Sequence, residues 1–141
     1  MANPDTLSQP HAAAQAGLKE WHRIVEARDW DSLPDLLVSE VTFRNPATFA
    51  PYEGKDTMVA ILRVVFSVME DFTYHREFSS QTGYVLEFSA HVGGEQLLGV
   101  DVVEFNADGK ITDFMVMMRP ASIVAKLSEE AGKRMAASAA H

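Results

Sequence analysis

The chain has 141 residues, enough for one domain with its own core and no covalent staples. Twenty acidic against 12 basic residues give a formal charge of −8, which disfavours nucleic acid and anionic membrane surfaces as partners. There is no cysteine, which excludes disulfides and thiolate metal sites, and no apolar run approaches the roughly 18 residues of a membrane span. No signal-like segment follows Met1, so a soluble, cytoplasmic protein is expected.

Residues 1–11, with Pro4 and Pro10 among polar residues, read as a flexible tail, followed by a single domain over 12–135 and a second tail over 136–141. A first helix from Ala12 to Ala27 sets Leu18, Trp21, Ile24 and Val25 at helical spacing, so Trp21 points inward. A short helix follows Asp29-Trp30-Asp31, whose aspartates suit the free amides of a first turn, with Pro34 tolerated there. Val41 to Asn45 alternates as a strand, with Val41, Phe43 and Asn45 on one face. Pro46 and Pro51 then frame a loop that holds Phe49 and Tyr52. Met58 to Met69 is a helix apolar over more than half its circumference, the mark of an element covered on two sides.

Four strands follow: Phe72 to Ser79, Tyr84 to Val92, Leu97 to Phe105, and a last one ending near Arg119. Gly93-Gly94 is a tight turn, and Asn106-Ala107-Asp108-Gly109 is a turn of four. A closing helix is expected from Ala121 to Met135. In the third of these strands Leu97, Gly99, Asp101, Val103 and Phe105 share a face, and Asp101 is its one charge. A two-residue Gly93-Gly94 loop puts Leu86 opposite Asp101, and a four-residue Asn106–Gly109 loop puts Phe114 opposite it on the other side. Asp101 thus falls on the apolar face, where desolvation favours its neutral form. It reads either as a proton donor or acceptor at a pocket floor, or as a structural acid satisfied by Asn45, Trp21 or a buried water.

Three helices with a short strand inserted, then a four-stranded meander, make an α+β pattern with helices on one sheet face. The run ARDWDSLPDLLVSEVTFRNP, then EGKDTM and GVDVVEFNADGKI, resembles the nuclear transport factor 2-like superfamily over about residues 14 to 125. That group includes ketosteroid isomerases, limonene epoxide hydrolases and SnoaL-like polyketide cyclases. The resemblance implies a cone-shaped, curved antiparallel sheet covered on its concave face by three N-terminal helices, a cystatin-like α+β barrel. On the ketosteroid isomerase pattern Asp101 matches the protonated aspartic acid of the oxyanion hole, Trp21 stands where that family has a tyrosine, and Asn45 stands where it has the base. On the limonene epoxide hydrolase pattern Asn45 matches an asparagine that holds water, while Ser89, His91 and Val116 stand where the arginine and two aspartates belong. Neither catalytic set is complete, and SnoaL-like is the nearest description.

The expectation is therefore a domain that binds a small apolar, oxygen-bearing molecule and uses Asp101 for proton transfer, as an isomerase, cyclase or hydrolase. Asn45 is the second catalytic candidate. Trp21, Phe43, Ile61, Leu62, Leu86, Phe88, Phe114 and Met118 are expected to bind the substrate. The alternative is a noncatalytic ligand-binding or dimeric interaction module on the same fold. No cofactor and no metal are expected, since histidines 11, 22, 75, 91 and 141 form no ligand spacing. An outer strip of Val85, Leu98, Val100, Val102, Met115 and Met117 points to a homodimer through the open sheet face.

Overall fold

The computed structural model describes residues 9–139; residues 1–8 of the tail expected over 1–11, and residues 140–141 of the tail expected over 136–141, lie outside the described residues. Helix α1 (Ala12–Ala27) starts where His11 accepts a bond from the Ala14 amide at its Nδ1, 3.1 Å away, and stops where Arg28 turns left-handed at φ 55°. Its Leu18, Trp21, Ile24 and Val25 are buried, as their spacing requires. Gly17 brings α1 against the sheet: a Cβ there would lie 2.5 Å from the Gly109 carbonyl oxygen and 2.6 Å from the Phe105 ring. The short helix Trp30–Leu36 is 3₁₀ with Pro34 inside it. The Asp29 carboxylate does not cap its amides but takes the Ser32 hydroxyl at 2.6 Å and the Arg23 guanidinium at 3.2 Å.

There follow β1 (Leu37–Arg44), β2 (Tyr52–Glu53), α2 (Lys55–Val68), β3 (Glu70–Ser79), β4 (Gly83–Val92), β5 (Glu95–Phe105), β6 (Ile111–Arg119) and α3 (Ala121–Ala139). The strands form one curved, open sheet in the order β2-β1-β6-β5-β4-β3, so the barrel does not close. The sheet is also not wholly antiparallel. β1 lies parallel to β6, which its long separation in sequence permits, while the other neighbours run antiparallel.

Val92 pairs with Glu95 and Leu86 with Asp101, as the Gly93-Gly94 turn predicts. On the other side Val116, not Phe114, stands opposite Asp101. The ladder slips between Glu104 and Phe105, which pair with Asp113 and Ile111 respectively, and the count from the turn is displaced by two. A shift of two keeps parity, so Phe114, Val116 and Met118 stay on the inner face. That face is covered by more than the N-terminal helices. Helix α3 also packs on it, burying Ile123, Val124, Leu127 and Ala131, and it runs to Ala139 rather than ending at Met135. On the outer face Leu98 and Met117 remain 40% and 50% exposed. No helix among the described residues is long and apolar enough to cross a membrane.

Candidate functional site

Asp101 is 4% exposed and is the one buried charged residue among those described. It sits mid-strand in β5, facing α1 and α2, with Leu86 and Val116 as its cross-strand neighbours. Burial without a cation pushes its carboxyl up to about 7, and a hydrogen bond from Tyr74 opposes that rise. Tyr74 donates its hydroxyl to Asp101 Oδ2 at 2.7 Å. Trp21 Nε1 in turn donates to the Tyr74 oxygen at 3.0 Å.

With Asp101 ionised, the direction of this chain of bonds is fixed by chemistry. An indole N–H can only donate, so the Tyr74 oxygen receives it and the Tyr74 proton goes to Asp101. Asp101 Oδ1 is engaged by no hydrogen bond among the described residues. Burial raises the Tyr74 phenol well above its ordinary value, with the Asp101 charge adding to the effect, so Tyr74 stays a neutral donor. Replacing Tyr74 with Phe removes the one donor that favours the carboxylate. Asp101 in Tyr74→Phe is expected to titrate above about 7, a shift read from the carboxyl ¹³C signal.

A cavity of about 220 Å³ opens beside Asp101. Asp101, Phe88 and Phe114 form its buried floor, and Ile61, Leu62, Val65 and Phe66 of α2 form one wall. The mouth lies between the loop that carries Asn45, Pro46, Ala47 and Thr48, with Tyr52 of β2 beside it, and the part of α3 that carries Ser128, Gly132 and Met135. Of the residues expected in the site, Phe43, Asn45, Ile61, Leu62, Phe88, Asp101, Phe114 and Met118 line this cavity.

Trp21 and Leu86 do not line it. Trp21 is 0% exposed and packs against Phe114 at 5.0 Å between ring centres; it reaches Asp101 only through Tyr74. Leu86 is enclosed in the sheet between Glu77 of β3 and Asp101 of β5. Asn45 lies just past the end of β1. Its Oδ1 accepts the amides of Ala47 at 2.8 Å and Thr48 at 3.1 Å, so it closes the turn at the mouth while lining the cavity. Only its side-chain NH₂ is left for a ligand.

Sequence reasoning missed Tyr74 and the α3 wall. Tyr74 shares inward parity with Phe72, and its ring stands edge-on to Phe72 at 4.9 Å and to Phe88 at 6.3 Å. That parity was the available signal. The ladder between β3 and β4 slips twice, between Glu70 and Thr73 and between Tyr74 and Glu77, which defeats pair counting from a turn.

The chain belongs to the SnoaL-like domain family, whose sequence model matches residues 18–114. Among solved structures, a steroid delta-isomerase from Pseudomonas aeruginosa is similar at 43% identity over 95% of this chain and 99% of that one, with a TM-score of 0.91. An uncharacterised bacterial protein with a cystatin-like fold from Silicibacter pomeroyi is 30% identical over 84% of each chain, with a TM-score of 0.79. An NTF2-like protein from Mesorhizobium loti, 17% identical over 79% of this chain and 99% of that one with a TM-score of 0.68, shares the fold. No curated protein matches.

Proposed function

We propose that this chain is an acid–base enzyme on a small apolar molecule bearing a carbonyl or enol oxygen, in which Asp101 Oδ1 gives its proton to that oxygen as the enol forms and takes it back as the enol collapses, while water exchanges the carbon-bound proton. The observation that carries this reading is the division of labour on one carboxyl: Oδ2 is held by Tyr74, Oδ1 is unengaged, and the group lines the cavity. A carboxyl near 7 is well matched to proton transfer at neutral pH, where both its forms are populated. The similarity to a steroid delta-isomerase supports a ketone-type ligand. A neutral Asp101 donating to a ligand oxygen is the role that the aspartic acid has in the oxyanion hole of ketosteroid isomerases. Asn45 cannot serve as a separate base, because an amide does not accept a proton at neutral pH.

At about 220 Å³ the cavity lies below the roughly 300–1,000 Å³ of sites that enclose drug-sized ligands. It suits one or two rings rather than the whole of a four-ring steroid. The test is to incubate the protein with β,γ-unsaturated cyclic ketones of one and two rings and follow the conjugated enone by its ultraviolet absorbance. Enone formation that disappears in Asp101→Asn supports the enzyme. Uptake of the ketones without conversion supports the noncatalytic binding module. Neither uptake nor conversion overturns the ligand class.

The proposal extends to the outer sheet face, where a second copy of the chain covers Leu98 and Met117. Sedimentation is expected to give a dimer mass, reduced to monomer by the pair Leu98→Glu and Met117→Glu. A monomer mass for the unaltered chain discards the dimer.

A further inference from the structure

Seven of the eight glycines have a local reason to be glycine. Gly54, Gly93, Gly94 and Gly109 have positive φ, and a Cβ at Gly17, Gly83 or Gly99 would fall within 2.7 Å of a backbone oxygen or a ring. Gly132 has neither reason. It stands inside α3, its φ is ordinary, and a Cβ there meets nothing within 4 Å beyond its own helix. Glycine in a helix interior is weaker than alanine, so the packing of the chain does not account for it.

What Gly132 does face is the cavity. It shares a helical stripe with Ser128 and Met135, four residues before it and three after, and all three line the mouth. Burial divides the cavity into two ends. Asp101, Phe88 and Phe114 at the floor are 4%, 2% and 1% exposed, whereas Gly132, Ser128 and Thr48 at the mouth are exposed.

We propose that Gly132 is a specificity-determining notch in the wall of the cavity, and that the ligand is elongated, with its oxygen at Asp101 and its apolar far end leaving past Gly132. This rests on Asp101 being the anchor for the ligand's oxygen. The missing side chain keeps open a passage that Ala narrows and a branched residue blocks. Ligands that end before the mouth do not sense position 132; ligands that reach it do.

The test uses 4-methylphenol and 4-hexylphenol, each a single hydrogen-bonding oxygen on an apolar ring, the second with a tail long enough to reach the mouth. Calorimetric titration of the unaltered chain is expected to show tighter binding of the hexyl probe, by about fourfold for each methylene that enters the cavity. In Gly132→Leu the hexyl-to-methyl affinity ratio is expected to fall tenfold or more. Gly132→Ala is expected to raise Tm by about 3 °C through helix propensity, with a smaller fall in the same ratio. A fall in Tm on Gly132→Ala overturns the proposal, because the glycine is then structural. An unchanged ratio in Gly132→Leu, with both phenols bound, also overturns it and leaves the reading of Asp101 standing. If neither phenol binds the unaltered chain, the reading of Asp101 fails and the notch fails with it.

Discussion

Asp101→Asn is expected to slow proton transfer by about 10²–10⁴-fold while making the folded chain more stable above pH 7. The two effects have one cause. The folded chain holds the Asp101 proton up to about pH 7, whereas the unfolded chain releases it near 3.8. Between those values the native state binds the extra proton, so stability falls as pH rises through that window and levels off above about 7. Three units of difference correspond to about 4 kcal/mol.

Asparagine keeps the shape and an oxygen for the Tyr74 hydroxyl, and carries no charge to desolvate. Chemical denaturation near pH 8 is expected to show the variant more stable by up to about 4 kcal/mol, with the advantage shrinking to nothing toward pH 4. A variant destabilised at every pH would mean that the carboxylate is held by contacts that outweigh its burial. The acid would then be structural. A gain in stability joined to a loss of turnover is the signature expected of a strained functional group.

Trp21→Ala is expected to cost about 3–5 kcal/mol and to lower Tm by roughly 10–15 °C, the largest loss at any position of the site. Trp21 is 0% exposed, packs on Phe114, and is the largest fully buried side chain of the core. Against a typical total of about 5–15 kcal/mol, such a cavity leaves a chain close to unfolding. Trp21→Phe separates packing from hydrogen bonding, because it keeps most of the ring and removes the N–H that Tyr74 receives. That variant is expected to lose about 1–3 kcal/mol and to move the Asp101 titration upward, since Tyr74 becomes a weaker donor to it. Thermal melts and a carboxyl NMR titration on the two variants check both parts. Equal melts would show that the N–H, and not the ring volume, carries the stability.

Much of the arrangement around Asp101 was legible from residue patterns because it is local. Alternation placed Asp101 with Leu97, Gly99, Val103 and Phe105, and a two-residue turn at Gly93-Gly94 fixed its partner as Leu86. The pairing with β6 was misread by two residues, one because Phe105 pairs with Ile111 across a longer turn and one because of the slip between Glu104 and Phe105, neither of which has a marker in the sequence, yet parity survived both. Trp21 was legible as a core residue by helical spacing, but not as a donor to Tyr74. Asn45 was legible as a residue of the inner face by its parity with Val41 and Phe43, and it lines the cavity, but its bonds to Ala47 and Thr48 belong to a turn that the strand reading did not include.

By itself, then, the sequence determined the α+β order of elements, the inward face of β5 and the presence of one acid in apolar surroundings, all set by periodicity and turn chemistry within a few dozen residues. Only the tertiary structure decided which groups meet that acid. Tyr74 lies on β3, two strands from β5, a separation of about 10 Å in a flat sheet, and the curl of the sheet together with the slips in β3 carries its hydroxyl to Asp101. The parallel placement of β1 beside β6 and the return of α3 across the mouth are likewise contacts between distant segments. Such contacts are selected by the packing of the whole core, which no local pattern encodes.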